Sequence, residues 1–180
     1  MPAAAALDAL KERIPDHARD LRINLGVIAG STALSPAQAW TVAVAAAHSA
    51  RTPELVRAVE ADAAAVLAPE ALAAARAAAA IMGMNNVYYR FVHHMGDAAE
   101  YGQMPARLRM QVIGKPGIDA IDFELACLAA SAITGCEACV RSHEKAVRER
   151  GGTKEAVQDA VRIAAVVHGA AIALDGVPAV

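Results

Sequence analysis

Residues 119–150 read DAIDFELACLAASAITGCEACVRSHEKAVRER, and the fold follows from this segment. Asp119 suits a helix N-cap, and Asp122 three positions later suits the reciprocal partner of a capping box. From Ala120 to Ile133 the chain is dominated by alanine and leucine, good helix formers that lack the β-branched and aromatic run of a strand. Thr134-Gly135 breaks this helix. Cys136 then opens a second helix to about Arg150, which Gly151-Gly152 stops.

The same punctuation recurs outward in both directions. Thr153 caps a last long helix, with Glu155 near its positive end, and Asp175-Gly176-Val177-Pro178 closes it. Upstream, Ser35-Pro36 starts a helix to about Ala50. Thr52-Pro53-Glu54 starts another to about Leu67. Ala68-Pro69-Glu70 starts a long alanine-rich helix that reaches Ile81 and extends toward His94. Residues 3–15 carry Leu7, Leu10 and Ile14 at helical spacing. A second amphipathic segment runs to about Val27, with Leu21, Ile23, Leu25 and Val27 apolar, and 30–35 form a loop. Hydrophobic residues make up 56% of the 180-residue chain and aromatics only 3%, so alanine carries much of the apolar content. The expectation is an all-α fold of roughly eight helices.

The length suits one domain, 1–180. The segment from Gly96 to Gly117 is the least regular, holding Gly102, Pro105, Gly114 and Pro116 with a short helix near 106–112. It separates a first half, about 1–95, from a second, about 118–175. A shift of about 83 residues places Ala39-Trp40-Thr41-Val42-Ala43 on Asp122-Phe123-Glu124-Leu125-Ala126, which suggests an internal duplication. In that register Pro53 and Val56 occupy the cysteine positions, so the chemistry belongs to the second copy.

The formal net charge is -2, and no basic tract with interleaved aromatics argues for nucleic acid. No basic region followed by an apolar core marks a signal peptide. Uninterrupted apolar runs such as Ile163–Val167 and Ala170–Leu174 are short of the roughly 20 residues a bilayer span needs. A cytoplasmic protein is expected, and there a Cys-x-x-Cys is more often catalytic or metal-binding than a structural staple.

Cys136, Cys139 and His143 fall at i, i+3 and i+7 and share one helix face. Two thiols at this spacing near a helix start can close a disulfide. His143 lies one turn past Cys139, where its imidazole can meet that sulfur directly or through one water. The thiolate is the reactive form, and both a helix N-terminus and an imidazole favour it, whereas Glu137 opposes it. Glu124 stands in the apolar run Phe123–Ala130, where a carboxylate is costly to bury unpaired. A histidine on the next helix is its natural partner, fixing the imidazole's tautomer and raising its basicity. Competing readings remain. Cys136, Cys139 and His143 could be three ligands of a zinc site, with His168 or Cys127 as a fourth. Glu124 could be an ordinary first-turn carboxylate, and His143 a surface histidine. Cys127, among Leu125, Ala126 and Leu128, reads as a buried structural thiol. His93 and His94 read as surface or interface residues. Met82, Met84, Met95, Tyr88 and Tyr89 read as core or subunit contacts.

Glu124 followed by Cys136-x-x-Cys139-x-x-x-His143 resembles the AhpD family, alkyl hydroperoxide reductase partner proteins within the carboxymuconolactone decarboxylase-like superfamily. The segments Ile81–Arg90, Leu108-Arg109-Met110, Pro116-Gly117-Ile118 and Leu21–Leu25 are similar too, so the likeness covers nearly the whole chain. It implies an all-α fold with a pseudo-two-fold repeat, assembled as a homotrimer. It implies a thiol–disulfide oxidoreductase in antioxidant defence with no bound cofactor. Electrons would pass from lipoyl groups on a 2-oxoacid dehydrogenase component, through a redox-active Cys136–Cys139 disulfide, to a peroxiredoxin of the AhpC type. Alkyl hydroperoxides would also be reduced directly and weakly. By the same likeness Cys139 is the peroxide-attacking thiol, Cys136 resolves, and His143 and Glu124 deprotonate Cys139. Some members carry a histidine just before the second cysteine where this chain has Ala138, so a proton path through it is absent. A decarboxylase-like lyase of the superfamily and a non-enzymatic zinc protein are the alternatives.

Overall fold

The computed structural model describes residues 4–96 and 100–176. Residue 3 of the expected first helix, and Val177 and Pro178 of the expected chain end, lie outside the described residues. Among those described there are ten α-helical segments and no strand: α1 Ala5–Lys11, α2 Asp20–Asn24, α3 Val27–Gly30, α4 Pro36–Ala50, α5 Pro53–Ala63, α6 Pro69–Met95, α7 Gln111–Gly114, α8 Ala120–Thr134, α9 Glu137–Glu149 and α10 Lys154–Asp175. The two beyond the expected eight arise among α2, α3 and α7, each about one turn long. Short 3₁₀ turns lie at Asp16–Ala18 and Tyr101–Gln103.

The starts of the main helices have local causes. Ser35 and Gln38 form a full capping box, the Ser35 hydroxyl accepting from Gln38 N at 3.2 Å and Gln38 Oε1 accepting from Ser35 N at 2.9 Å. Proline fills the first position of α4, α5 and α6, where its missing N–H is not needed. Thr153 Oγ1 accepts from Ala156 N at 3.0 Å. Asp119 caps α8 by accepting from Ile121 N at 2.8 Å. Asp122 does not complete that cap. Its carboxylate instead accepts from Gln38 Nε2 at 2.8 Å and so ties α8 to the start of α4.

The N-terminal region departs from expectation. The amphipathic segment before Val27 is broken into a 3₁₀ turn and two short helices. Arg22 holds the bend, donating from Nε to Ile14 O at 2.9 Å. Leu25 and Ile28 are buried, whereas Ile23 is 80% exposed. The irregular segment before α8 also differs, its helix falling at Gln111–Gly114 rather than 106–112.

α4 and α8 form the centre. Every residue from Ala39 to Ala47 and from Phe123 to Ser131 is buried, the pattern of helices enclosed on all sides. Alanine makes this feasible by letting neighbouring backbones approach closely. α6 and α10 each pack on both central helices, α5 folds back on α4, α9 folds back on α8, and α1 covers α5. α10, at 22 residues with an 18-residue window of mean hydropathy 1.4, is long and apolar enough by length and composition to cross a membrane. Counting uninterrupted apolar runs misses this, because Arg162 and Asp159 divide its sequence. In the fold it is a core helix against α4 and α8.

The duplication is visible in the helix order. Pro36 and Ala120, which start α4 and α8, are 84 residues apart, as are Pro53 and Glu137, which start α5 and α9. Each central helix ends in a left-handed residue, Arg51 (φ 68°) or Gly135 (φ 71°), followed by an extended cap, Thr52 or Cys136. The register is therefore 84 rather than 83. Thr52 and Leu55, not Pro53 and Val56, match the two cysteines. Alanine runs slide past one another without penalty in a sequence comparison, whereas the helix caps fix the register.

Candidate active site

The break between α8 and α9 positions the two cysteines. Gly135 takes the left-handed conformation that a helix reversal needs and that glycine adopts without a Cβ clash. Gly135 N donates to Ala132 O and Cys136 N to Ser131 O, both at 3.2 Å, so the end of α8 is closed by its own carbonyls. Cys136 is thereby held as the N-cap of α9, and its Sγ accepts from Cys139 N at 3.4 Å. The expected helix start at Cys136 thus moves to Glu137. The Cα atoms of Cys136 and Cys139 are 5.3 Å apart and the sulfurs are bonded.

The two cysteines differ in access. Cys136 is fully buried. Cys139 lines a cavity of about 390 Å³, together with Glu124 from α8 and Ser142 and His143 from α9. Met82, Asn85 and Tyr89 of α6 form a second wall, and Met110 and Ile113 a third. An external reagent therefore meets the Cys139 sulfur first.

Behind that sulfur, His143 Nδ1 lies 2.7 Å from Glu124 Oε2. Both side chains are buried, which excludes the readings of Glu124 as a solvated carboxylate and of His143 as a surface residue. With Nδ1–H donating to the carboxylate, Nε2 is the ring nitrogen left as an acceptor. Nε2 lies 3.1 Å from Met82 Sδ rather than against the Cys139 sulfur, which is engaged with Cys136. A buried carboxylate next to an imidazole inside an apolar shell is costly unless paired and hydrogen-bonded, and this pair meets that condition.

The other candidates separate cleanly. Cys127 is buried, and burial, reinforced by the nearby Glu124 carboxylate, pushes its thiol well above the usual range; it sits in the core beside Phe123 and Met82. Glu137 is turned outward to Arg141, 2.9 Å away, which holds its carboxyl below the usual range. Its charge is thus partly neutralised before it can oppose a thiolate. His93 is half exposed and lies 3.6 Å from Glu137 Oε2. Cys136 and Cys139 are not free as thiolate ligands while joined, and no group of three or more His, Cys, Asp or Glu side chains among the described residues is placed to hold a metal.

The α6 wall is what sequence spacing around the cysteines could not reveal. Met82, Asn85 and Tyr89 fall on one face of α6 at i, i+3 and i+7, but only the packing of α6 on α8 and α9 carries that face to the cavity.

Comparison with known proteins gives the chain's relatives. The carboxymuconolactone decarboxylase family matches residues 99–180, the half that contains Glu124, Cys136, Cys139 and His143. The chain is 53% identical to the alkyl hydroperoxide reductase AhpD of Rhodospirillum centenum, over 94% of this chain and 91% of that protein. It is 54% identical to the AhpD of Gluconacetobacter diazotrophicus, over 97% and 95% of the two chains. It is 52% identical to the AhpD of Solibacter usitatus, over 94% and 95%. Likeness at this level across nearly the full length of each protein leads to one conclusion: the chain belongs to the AhpD family.

Proposed function

We propose that this protein is a thiol–disulfide oxidoreductase of antioxidant defence. It reduces alkyl hydroperoxides weakly itself and passes electrons from lipoyl dithiols to a peroxiredoxin of the AhpC type. The observation that carries the reading is that one cysteine of the disulfide, Cys139, lines a cavity backed by the Glu124–His143 pair, while Cys136 is fully buried. The names of the relatives supply the substrate class.

In the reductive half, a lipoyl thiolate attacks Cys139 Sγ and the S–S bond to Cys136 breaks. The departing charge rests on Cys136, where the Cys139 N–H and the N-terminus of α9 stabilise it. The second lipoyl thiol closes the lipoyl disulfide and releases Cys139 reduced. In the oxidative half, His143, oriented by Glu124, takes the Cys139 proton. The thiolate attacks the terminal oxygen of the hydroperoxide, the O–O bond breaks, and the alkoxide takes a proton to leave as alcohol. Cys136 then displaces hydroxide from the Cys139 sulfenic acid, water leaves, and the disulfide is restored. Two electrons enter from the dithiol and two reach the peroxide. Where a partner peroxiredoxin supplies a disulfide in place of the peroxide, the same Cys139 thiolate attacks it.

The chemistry resides in the second half of what we read as one domain, in a cytoplasmic homotrimer. Exposed Val87, Phe91 and Met95 on one face of α6 support self-association. The lyase reading suggested by the matched family's name requires no cysteine pair, and loss of activity on oxidation of Cys136 and Cys139 separates the two. Consumption of an alkyl hydroperoxide is measured with dihydrolipoamide, then with a lipoylated 2-oxoacid dehydrogenase component and a peroxiredoxin added. Turnover with dithiol alone, accelerated by the two proteins, is expected; no turnover in any arm overturns the reading.

A further inference from the structure

We propose that the Asn85 side chain binds the O–H group of the hydroperoxide in the Cys139 cavity. The assignment rests on the functional reading above and adds to it a substrate-binding residue from the opposite half of the chain. Asn85 is only 4% exposed, lines the cavity with Cys139, and its Oδ1 is buried without a hydrogen-bond partner among the described residues. Buried amide oxygens are nearly always satisfied, because an unmade bond carries the full desolvation penalty. An unsatisfied one on a residue that lines a cavity with the Cys139 sulfur is therefore an acceptor awaiting a donor, reached by a small turn of the side chain.

The neighbouring residue shows that this is not a structural amide. Asn86 donates to Thr134 Oγ1 at 2.6 Å and accepts from Ser131 Oγ at 3.1 Å, fastening α6 to the end of α8. Asn85, one position earlier, lies on another face of the helix and makes no such link among the described residues. It shares its face with Met82 and Tyr89, which with Met110 and Ile113 give the cavity an apolar lining.

An alkyl hydroperoxide presents one hydroxyl donor and an apolar tail. The donor sits on the oxygen that a thiolate attacks. With Asn85 Oδ1 accepting that O–H, the terminal oxygen is held for the Cys139 thiolate. The S–O bond then forms and the O–O bond breaks. The sulfur is oxidised by two electrons, and the alkoxide leaves with the electron pair and takes a proton. A dithiol reductant has no hydroxyl, so the reductive half-reaction does not draw on Asn85.

Asn85→Leu keeps the volume and removes the acceptor. With cumene hydroperoxide as probe, its kcat/KM is expected to fall about 10- to 100-fold, mainly through KM, the scale of a lost hydrogen bond in a buried site. Reduction of the Cys136–Cys139 disulfide by dihydrolipoamide is expected to stay within about twofold of wild type. Asn85→Ala makes the same forecast should the leucine variant not fold, and Asn85→Ser, which retains an oxygen acceptor, is expected to recover part of the loss. Equal losses in both half-reactions, or no loss in the peroxide half, overturn the assignment while the wild-type protein still consumes peroxide. A wild-type protein that consumes no hydroperoxide overturns the functional reading and the assignment together.

Discussion

The two halves of this chain build the same turn and put opposite things into it. In the first, α4 ends at left-handed Arg51, Thr52 caps α5, and the matching interior positions hold Trp40, Leu55 and Val59, all buried. In the second, α8 ends at left-handed Gly135, Cys136 caps α9, and those positions hold Glu124, Cys139 and His143. The first set fills its space with hydrocarbon, and its cap hydroxyl is used structurally, Thr52 Oγ1 donating to Asp175 Oδ1 at 2.8 Å. The second set leaves a cavity with a sulfur, an imidazole and a carboxylate on its wall. The reactivity proposed for the second half thus rests not on the helix–turn–helix but on which side chains meet beside it.

Converting the second half toward the first is expected to have the largest effect. Cys139→Leu, which places the first-half residue in the cavity, should lower hydroperoxide turnover by roughly 10³-fold or more, as removal of a nucleophile does. Glu124→Leu combined with His143→Val should lower it about 10²-fold, the scale of positioned acid–base help. The same double variant should hold or raise its unfolding free energy, since a buried polar pair replaced by apolar side chains of similar volume is often neutral or stabilising. Glu124→Leu alone, which strands the imidazole, should be the less stable protein, and thermal unfolding of the three variants distinguishes these outcomes.

The converse graft is gentler. Thr52→Cys with Leu55→Cys should form a disulfide, because the caps match in backbone conformation, and yet should consume no hydroperoxide when Cys136 and Cys139 are both serine. Turnover by that graft would show that the backbone alone confers reactivity. Within the second half, Cys127 gives a smaller contrast. Its buried thiol, held above the usual range, should remain unlabelled by iodoacetamide at pH 8 while reduced Cys139 is labelled, as peptide mapping will show.

These contrasts also mark what the sequence disclosed. The six longer helices from α4 to α6 and α8 to α10 were legible because each has its own start signal, from Ser35-Pro36 to Thr153. That Glu124, Cys136, Cys139 and His143 lie close together was legible because local spacing puts them on adjoining helix faces; their proposed roles await the experiments above. The breaks around Asp20–Gly30 were not, since Ile23 keeps helical spacing and still faces solvent. The repeat register was off by one because alanine offers no anchor. Met82 and Asn85 were out of reach for a different reason: their place in the cavity wall depends on α6, distant in sequence, packing on α8 and α9.

The smallest expected effect lies in the first half. Glu60 lies 2.6 Å from Arg76 Nε and 2.7 Å from His48 Nε2, and with Arg76 as the chief cause its carboxyl is pushed down to about 2. A lowered carboxyl stabilises the fold above the usual carboxylate range and ceases to as pH falls through its folded value. Glu60→Gln should therefore cost less than about 1 kcal/mol at neutral pH, as partly exposed ion pairs do. Variant and wild type should converge in urea unfolding as pH falls toward 2, and activity should not change.

Trapping the sulfenic acid addresses the contrast between the halves most directly. Cys136→Ser, which cannot form the disulfide, is treated with one equivalent of cumene hydroperoxide in the presence of dimedone, and the labelled residue is found by peptide mass spectrometry. The expected result is a single adduct on Cys139, diminished when His143 is also replaced by valine. An adduct on Cys127 instead, or none on Cys139 while peroxide is consumed, would contradict a reaction centred on the second half's cavity.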